Sequence, residues 1–371
     1  MKIAYIANVR MPTEKAHGYQ IAKMCEMFAL HCETELFAPT RRDEVKSSLF
    51  DYYGLKNNFE VNKIYIPDFI SVTPLFLRKL GFFLQSVFFL FRLAFLKIEK
   101  DTIVYSRNPE IIWLFSKRGY KTIFESHRWP DTKIGLHKFF IKKSFKIIAV
   151  TSFLKKLYVK SGFFESDVLV SPDGVDLTVF DIDTKKEEAR KILNLPLNSI
   201  LLGYTGRTQT MGMEKGFFEI LRALQKILKE GRDVFFVSVG EKIPEKNNHF
   251  VAVDRVDRKT LALYQKAFDV LLMPFPKTTH YSYYMSPMKM FEYMAGKRPI
   301  VASDLPSVRE VLNENNAVLV ESGNPKSLAD GIKKVLENSE FAQSIANQAY
   351  EDVKEYTWEK RAERILTYLK I

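Results

Sequence analysis

Two hydrophobic periods alternate along this chain. Short, nearly unbroken apolar runs occur at 3–7, 102–105, 122–125, 146–150, 199–204, 234–239, 269–273 and 300–302. Runs of that length without polar alternation predict strands buried on both faces, as in a parallel sheet covered by helices. Elsewhere apolar positions recur every three to four residues, predicting helices near 19–30, 217–230, 287–295 and 325–337, and a last one opened by Thr357. Strands alternating with such helices predict an α/β chain. At 371 residues it is long enough for two domains with separate cores, the run at 199–204 opening the second.

Segment 75–97 follows neither pattern. It is rich in phenylalanine, its only charges are Arg78, Lys79, Arg92 and Lys97, and Thr73-Pro74 precedes it as a helix start. Advancing about 100° per residue gathers those charges, with Gln85 and Ser86, into one arc of roughly 140° and leaves the rest apolar. The uncharged stretch from 80 to 91 holds 12 residues, well short of the ~20 needed to span a bilayer. Two readings stay open: a basic amphipathic helix lying in an anionic membrane surface, or a helix packed into the amino-terminal core with its basic edge in water.

Composition adds one asymmetry. Hydrophobic residues at 46% and charged residues at 27% are ordinary for a globular enzyme, but a net charge of +12 is not. It favours an anionic partner such as a nucleotide, a phosphorylated acceptor or an anionic lipid. The cations are dispersed and form no recognised nucleic-acid module, which argues against DNA or RNA. Cys25 and Cys32 have neither redox nor metal-ligand spacing, so a reduced cytoplasm is expected, and the six histidines make no zinc pattern. The first residues read as a strand and not as a signal peptide.

The densest chemistry lies at 284–304. Ser286 is placed to cap a helix whose first position is Pro287 and whose last is Ala295. Gly296 is expected to take the positive φ that ends it, and Pro299 to forbid its continuation before the strand at 300–302. Such a helix opens with unbonded backbone N–H groups near Met288 and carries Lys289 in its first turn, which suits a phosphate. Glu292, three residues on, projects to nearly the same side. A cation for phosphate and a carboxylate for ribose hydroxyls, one turn apart, describe a nucleotide site. The stretch Ser286-Pro287-Met288-Lys289-Met290-Phe291-Glu292-Tyr293-Met294-Ala295, followed by Gly296 and Pro299-Ile300-Val301-Ala302-Ser303-Asp304, resembles the donor-binding signature of GT-B glycosyltransferases, in particular the retaining group numbered family four.

That resemblance implies two Rossmann-like domains facing a central cleft. The first, 1–178, would bind the acceptor and carry the amphipathic helix at about 75–97. The second, 179–352, would bind the nucleotide-sugar, and a return helix at 353–371 would pack back on the first. It also implies roles for particular residues. Gly206 and Arg207 after the 199–204 strand, with Lys215-Gly216 beyond, match the family's phosphate clamp, Arg207 and Lys215 being the cations that act on the diphosphate. Gly240, ending the 234–239 strand, would let the nucleotide lie close, and 251–257 would hold the base through backbone groups. In the first domain Gly18 matches the family's glycine loop, where the backbone can approach a ligand. Glu125-Ser126-His127 resembles its active-site histidine element, His127 contacting the donor sugar near the bond that breaks rather than serving as general base. Arg107 and Glu125 fall to the acceptor side. The loop Ser171-Pro172-Asp173-Gly174-Val175-Asp176 resembles the one that closes the first domain.

Two features depart from the family's pattern. Tyr284 stands eight residues before Glu292, where the family often has another glutamate, so the resemblance fixes neither how the sugar's hydroxyls are read nor which sugar it is. Asp181-Ile182-Asp183 spells the metal-holding triplet of the other large glycosyltransferase fold. It precedes Thr184 and Glu187, however, which predict a capping box and a helix start. No metal or other cofactor is expected. The resulting expectation is a retaining, metal-independent glycosyltransferase moving a sugar from a nucleotide-diphosphate sugar to a glycan or lipid-linked acceptor, peripheral to a membrane if 75–97 lies in one. The alternatives are a nucleotide-sugar epimerase of the same architecture and a non-catalytic membrane-associated scaffold.

Overall fold

The apolar runs are the strands of two parallel sheets. The computed structural model describes residues 1–41, 45, 47–130, 132–210, 212–243 and 248–369, and in it the chain divides into two units. One comprises Met1–Ser171 with the final helix, Trp358–Leu369; the other is Pro172–Thr357. Both crossings between them lie a few residues from the expected 178 and 353. They run side by side inside the second unit, where Val175 N donates to Tyr356 O at 2.9 Å and Val175 bridges Thr357. Positions 370 and 371 of the expected return helix lie outside the described residues.

The first unit holds β1 (Lys2–Ile6), β2 (Glu33–Pro39), β3 (Glu60–Ile64), β4 (Ile103–Ser106), β5 (Thr122–Ser126), β6 (Lys146–Ala149) and β7 (Val168–Val170), in the order 3-2-1-4-5-6-7. Helix Ala16–Phe28, buried along most of its length, packs against Trp358–Leu369, with the Trp358 and Tyr19 rings 6.4 Å apart. The last helix therefore completes the first unit's core. The second unit holds β8 (Ile200–Thr205), a small antiparallel hairpin of β9 (Gln209–Thr210) and β10 (Met213–Glu214), then β11 (Val234–Val239), β12 (Phe250–Val253), β13 (Val270–Met273), β14 (Ile300–Ser303) and β15 (Val318–Val320). Its main sheet is parallel in the order 12-11-8-13-14-15. The direction of winding reverses between β1 and β4 in one unit and between β8 and β13 in the other; the carboxyl ends of those strands are where open α/β sheets take ligands.

Segment 75–97 becomes a 3₁₀ turn, Leu75–Leu77, and a helix, Arg78–Ala94. Its inward stripe is narrow: Gly81, Gln85, Phe89 and Leu93, one residue per turn. Phe89 and Leu93 join Ala4, Ile6 and Val104 in the core. Gln85 Oε1 accepts from Phe69 N at 2.9 Å, and Ser86 Oγ accepts from Asn8 Nδ2 at 3.0 Å. The polar arc seen in the sequence thus turns partly inward, because a turn and a strand end need hydrogen-bond partners there. The apolar remainder, including Phe83 and Phe91, faces outward. Among the described residues no helix is long and apolar enough to cross a membrane.

Two local expectations are corrected. The helix expected from Pro287 begins at Met288 with Pro287 in the cap position, and at its end Gly296 is right-handed (φ −68°) while Lys297 carries the positive φ of 54°. The helix expected to be capped by Thr184 begins at Lys186, with Lys185 in the cap position and no side-chain cap. Asp181 is engaged elsewhere, accepting from Lys297 Nζ at 2.6 Å and Tyr350 Oη at 2.5 Å.

Candidate functional site

β8 and β11 run in register, Thr205 beside Val239, and both end in glycine. Gly206 N donates to Val239 O at 2.7 Å and Gly240 N to Val253 O at 3.0 Å. At Gly240 (φ +130°) a Cβ would lie 3.0 Å from the Gly206 backbone, so only glycine allows the two strand ends to approach this closely. The resulting crest borders the reversal point between β8 and β13.

Lys289 reaches that crest from helix Met288–Ala295. Its Nζ lies 3.8 Å from the centroid of the Tyr204 ring and 5.5 Å from that of Phe275, and 3.4 Å from where a Gly206 Cβ would stand. The atom is buried and has no hydrogen-bond partner among the described residues. Burial, and then the neighbouring Lys215, hold its pKa well below the usual lysine range, with Glu292 opposing. Aromatic faces compensate an ammonium only in part; a buried one without a hydrogen bond is completed by an anion.

The β9–β10 hairpin brings Lys215 back to the same place, its N donating to Thr208 O at 2.9 Å. Burial, then Arg207, push the Lys215 ammonium down to about 8 against the pull of Glu241. Glu241 itself is fixed, accepting from Thr208 N at 3.0 Å and Oγ1 at 2.7 Å. The Arg207 side chain is exposed while its carbonyl accepts from Tyr204 Oη at 2.9 Å. Behind Lys215, Gly216 (φ +83°) crosses the end of β13 so tightly that a Cβ would fall 1.4 Å from Pro274 O.

The two nearby helix starts differ. Helix Phe217–Lys229 is closed by Glu214, whose carboxylate accepts from Gly216 N at 2.7 Å and Phe218 N at 3.2 Å. Helix Met288–Ala295 has no side-chain cap. The hydroxyl expected to cap it, Ser286 Oγ, instead accepts from Asp173 N at 2.9 Å. Its first N–H groups, at Met288 and Lys289, are those that have no partner within the helix. The helix is pinned to β8 by Tyr293 Oη, which accepts from Thr205 N at 2.8 Å. Glu292 is buried, and its Oε1 accepts from Arg258 Nη2 at 2.9 Å, the guanidinium lying 5.0 Å over the Phe180 ring. Ahead of this helix His280–Tyr284 forms a single π-helical turn, a distortion frequent at functional sites.

In the first unit Glu125 is a charged hub, 1% exposed. Its Oε1 accepts from Arg107 Nη2 at 3.1 Å, Arg361 Nη2 at 3.2 Å and His127 Nε2 at 2.5 Å, and its Oε2 from Tyr105 Oη. Burial alone would raise the carboxyl, but Arg361 and Arg107 overrule it and hold it well below the usual range. Burial and then Arg107 bring His127 down to about 4. At neutral pH the ring is therefore uncharged beside an ionised carboxylate. Since the carboxylate can only accept, Nε2 carries the proton and Nδ1 is left as an acceptor. Gly18 serves the chain's own packing on its open side, where a Cβ would lie 2.2 Å from Tyr53 Oη and 2.4 Å from Thr13 Cγ2.

Within the second unit the structure gathers Gly206, Gly240, Arg207, Lys215 and Lys289 around one crest, with Glu292 near enough to influence Lys289 electrostatically. Sequence reasoning missed Tyr204, placed only as the end of a buried strand, and singled out none of Phe275, Arg258 and Glu241. The one signal for Arg258 was a cation in the first turn of a helix, against the helix dipole. It also missed Arg361, which reaches Glu125 across 236 positions of sequence.

Residues 199–338 match the family described as glycosyl transferases group 1. The chain is 27% identical over 254 residues to a Bacillus subtilis protein provisionally named a teichuronic acid biosynthesis glycosyltransferase, TuaC, which covers 67% of this chain. It is 22% identical over 264 residues to a D-inositol 3-phosphate glycosyltransferase of Corynebacterium urealyticum, which covers 65% of this chain. The chain spans 61% and 60%, respectively, of the lengths of these curated relatives. Among solved structures it matches HepE of Anabaena in complex with UDP-glucose, with a TM-score of 0.73 at 12% identity over 100% of this chain and 99% of that one. Sucrose-phosphate synthase from Thermosynechococcus elongatus matches with a TM-score of 0.73 at 16% identity over 100% and 98%.

Proposed function

We propose, from the glycosyl transferases group 1 domain that residues 199–338 form within a GT-B fold, that the protein is a glycosyltransferase. It moves a sugar from a nucleotide-diphosphate sugar to a glycan or lipid-linked acceptor in polysaccharide or glycoconjugate synthesis, with retention of configuration and without a metal ion. The observation that carries this reading is Lys289 Nζ, buried beside Lys215 at the crest of the second sheet without a hydrogen-bond partner among the described residues. Two cations held close together at the expense of their own protonation are suited to a diphosphate. In HepE the corresponding fold was solved with UDP-glucose, which supports the same donor class here.

In the transfer, the bond between the anomeric carbon and the diphosphate oxygen breaks and its electrons pass to the leaving diphosphate. The acceptor hydroxyl oxygen bonds to that carbon, and its proton leaves on the diphosphate. Lys215, Arg207, Lys289 and the N–H groups of Met288 and Lys289 stabilise the charge that grows on the leaving group, the role preorganised donors fill in such sites. Glu292, braced by Arg258, accepts from the ribose hydroxyls. His127, uncharged and with Nδ1 as acceptor, is suited to accept from a sugar hydroxyl and not to serve as a general base. Calorimetric titration with UDP, GDP and ADP, followed by nucleotide-sugar consumption with and without acceptor, tests the reading. One nucleoside diphosphate is expected to bind, with binding lost in Lys289→Met, and donor turnover to depend on acceptor. Binding of none of them, or binding indifferent to Lys289 and Lys215, overturns it; conversion of donor to an epimer without acceptor turns the assignment to an epimerase.

A further inference from the structure

Helices Arg78–Ala94, Pro109–Lys117 and Ile134–Ile141 connect β3 to β4, β4 to β5 and β5 to β6. Each step moves the same way across the sheet, so right-handed crossovers put all three on one face, and the middle helix packs against both others. On the outer side of the first helix Leu80, Phe83, Val87 and Phe91 recur every three to four residues, Phe83 and Phe91 being 64% and 60% exposed. The third helix adds Leu136 and Phe139, and the Phe139 ring lies 6.3 Å from that of Trp113 on the middle helix. Exposed apolar side chains in this number on one face of a sheet mark a surface with a partner.

Charge decides which partner. Residues 69–98 contain Arg78, Lys79, Arg92 and Lys97 and no carboxylate; residues 132–164 contain eight lysines and no carboxylate, Lys146 and Lys155 alone being paired, among the described residues, with Asp167 and Glu165 just beyond. A second copy of the chain would set these cations against one another, and like charges across an interface are costly. An anionic bilayer satisfies both features at once, taking the aromatic side chains into the acyl boundary while the lysines meet phosphate headgroups. We propose that this three-helix face docks on an anionic phospholipid membrane, with Arg78–Ala94 as the main contact and Ile134–Ile141 as the second. The inward stripe of Gln85, Phe89 and Leu93 stays anchored in the core, so docking requires no unfolding. The inference rests on this surface alone, whatever reaction the second unit carries.

Co-sedimentation of the full-length protein with vesicles tests it. Mixed phosphatidylcholine–phosphatidylglycerol vesicles are expected to bind the protein, pure phosphatidylcholine vesicles to bind it weakly, and salt to reduce the difference. The double variants Phe83→Ser/Phe91→Ser and Leu136→Ser/Phe139→Ser are each expected to lower partitioning by about tenfold or more. Lys142→Glu/Lys143→Glu is expected to remove the preference for phosphatidylglycerol. Since all these side chains are exposed, thermal unfolding in the absence of vesicles should match the parent. Absence of vesicle binding, or binding unaffected by either apolar pair, overturns the proposal. So does a dimer in size-exclusion chromatography that dissolves on Phe83→Ser/Phe91→Ser, which would assign the face to a second copy.

Discussion

In the proposed reaction Lys215 and Lys289 carry the chemistry: burial and then Arg207 disfavour the charge of Lys215, and burial and then Lys215 disfavour that of Lys289, until a ligand arrives. Removing Lys215 as Lys215→Ala is expected to lower turnover by on the order of 100- to 1000-fold, with circular dichroism unchanged and the unfolding temperature not lowered; near-normal turnover would refute its role. The depressed Lys215 pKa also fixes a pH dependence. The folded, unliganded protein gives up the proton near 8 and the unfolded chain near 10.5, so between those values the unfolded chain binds more protons. Stability without ligand therefore rises with pH across that window. A bound diphosphate restores the charge, so binding takes up a proton and affinity should fall as pH rises above 8, by at most about tenfold per pH unit for a single proton. Calorimetry in buffers of different ionisation enthalpy reads that uptake; Lys215→Ala should remove the part that appears above pH 8 and leave the part due to Lys289, whose pKa is also held below the usual lysine range.

Glu125 has the opposite sign. Its carboxyl is held well below the ordinary range by Arg361 and Arg107 against burial, so the stabilisation is present above the ordinary carboxylate pKa and is lost as pH falls through the folded value. Replacing it as Glu125→Gln leaves buried guanidinium groups without their shared counter-charge and should cost about 3 kcal/mol in urea unfolding. A loss within experimental error would show that the hub contributes nothing net. Neither lysine's perturbation nor this hub was legible in the sequence. The residue types and motif spacing named Lys215, Lys289 and Glu125, but their electrostatics depend on Tyr204, Phe275 and Arg361, whose approach is set only by packing.

Among the elements, Gly216 is the tightest joint. The turn from β10 into helix Phe217–Lys229 passes within van der Waals contact of Pro274 O, and a Cβ has no place to go. Gly216→Ala is therefore expected to lower the unfolding temperature sharply or abolish soluble expression. Gly231→Ala, where φ is also positive but a Cβ would meet no atom of the described residues within 4 Å beyond its chain neighbours, should cost only about 1 kcal/mol. Equal effects of the two would show that backbone conformation, not the close approach, sets the demand. Ser286→Ala should be milder still, removing one acceptor from Asp173 N at about 1 kcal/mol. The strands of both sheet centres were legible as apolar runs because they are covered on both faces. β2 and β3 were not: β3 is an edge strand reading Glu-Val-Asn-Lys-Ile, with no buried residue, so its hydrophobic signal is weak. The helix Arg78–Ala94 was legible as a helix, yet its inward side was not, because Gln85 and Ser86 face in for the sake of particular partners.

For the molecule as a whole, a nucleoside diphosphate should act on the second unit. Hydrogen exchange on adding UDP, or whichever diphosphate binds, is expected to slow at 205–216 and 286–292, and the unfolding temperature to rise with ligand concentration. Protection confined to the first unit would contradict the placement of the donor site. The alternation of apolar runs and helical periods determined by itself that this is a two-unit parallel α/β chain, because burial on both faces leaves its mark on every strand regardless of neighbours. Local motifs likewise announced which lysines and glycines stand at strand ends. The tertiary structure alone decided which groups those residues meet: an ammonium over a tyrosine ring with no hydrogen-bond partner among the described residues, a carboxylate shared by Arg107 and Arg361, and a helix with its phenylalanines outward. Such meetings join positions far apart in sequence, where no spacing rule reaches.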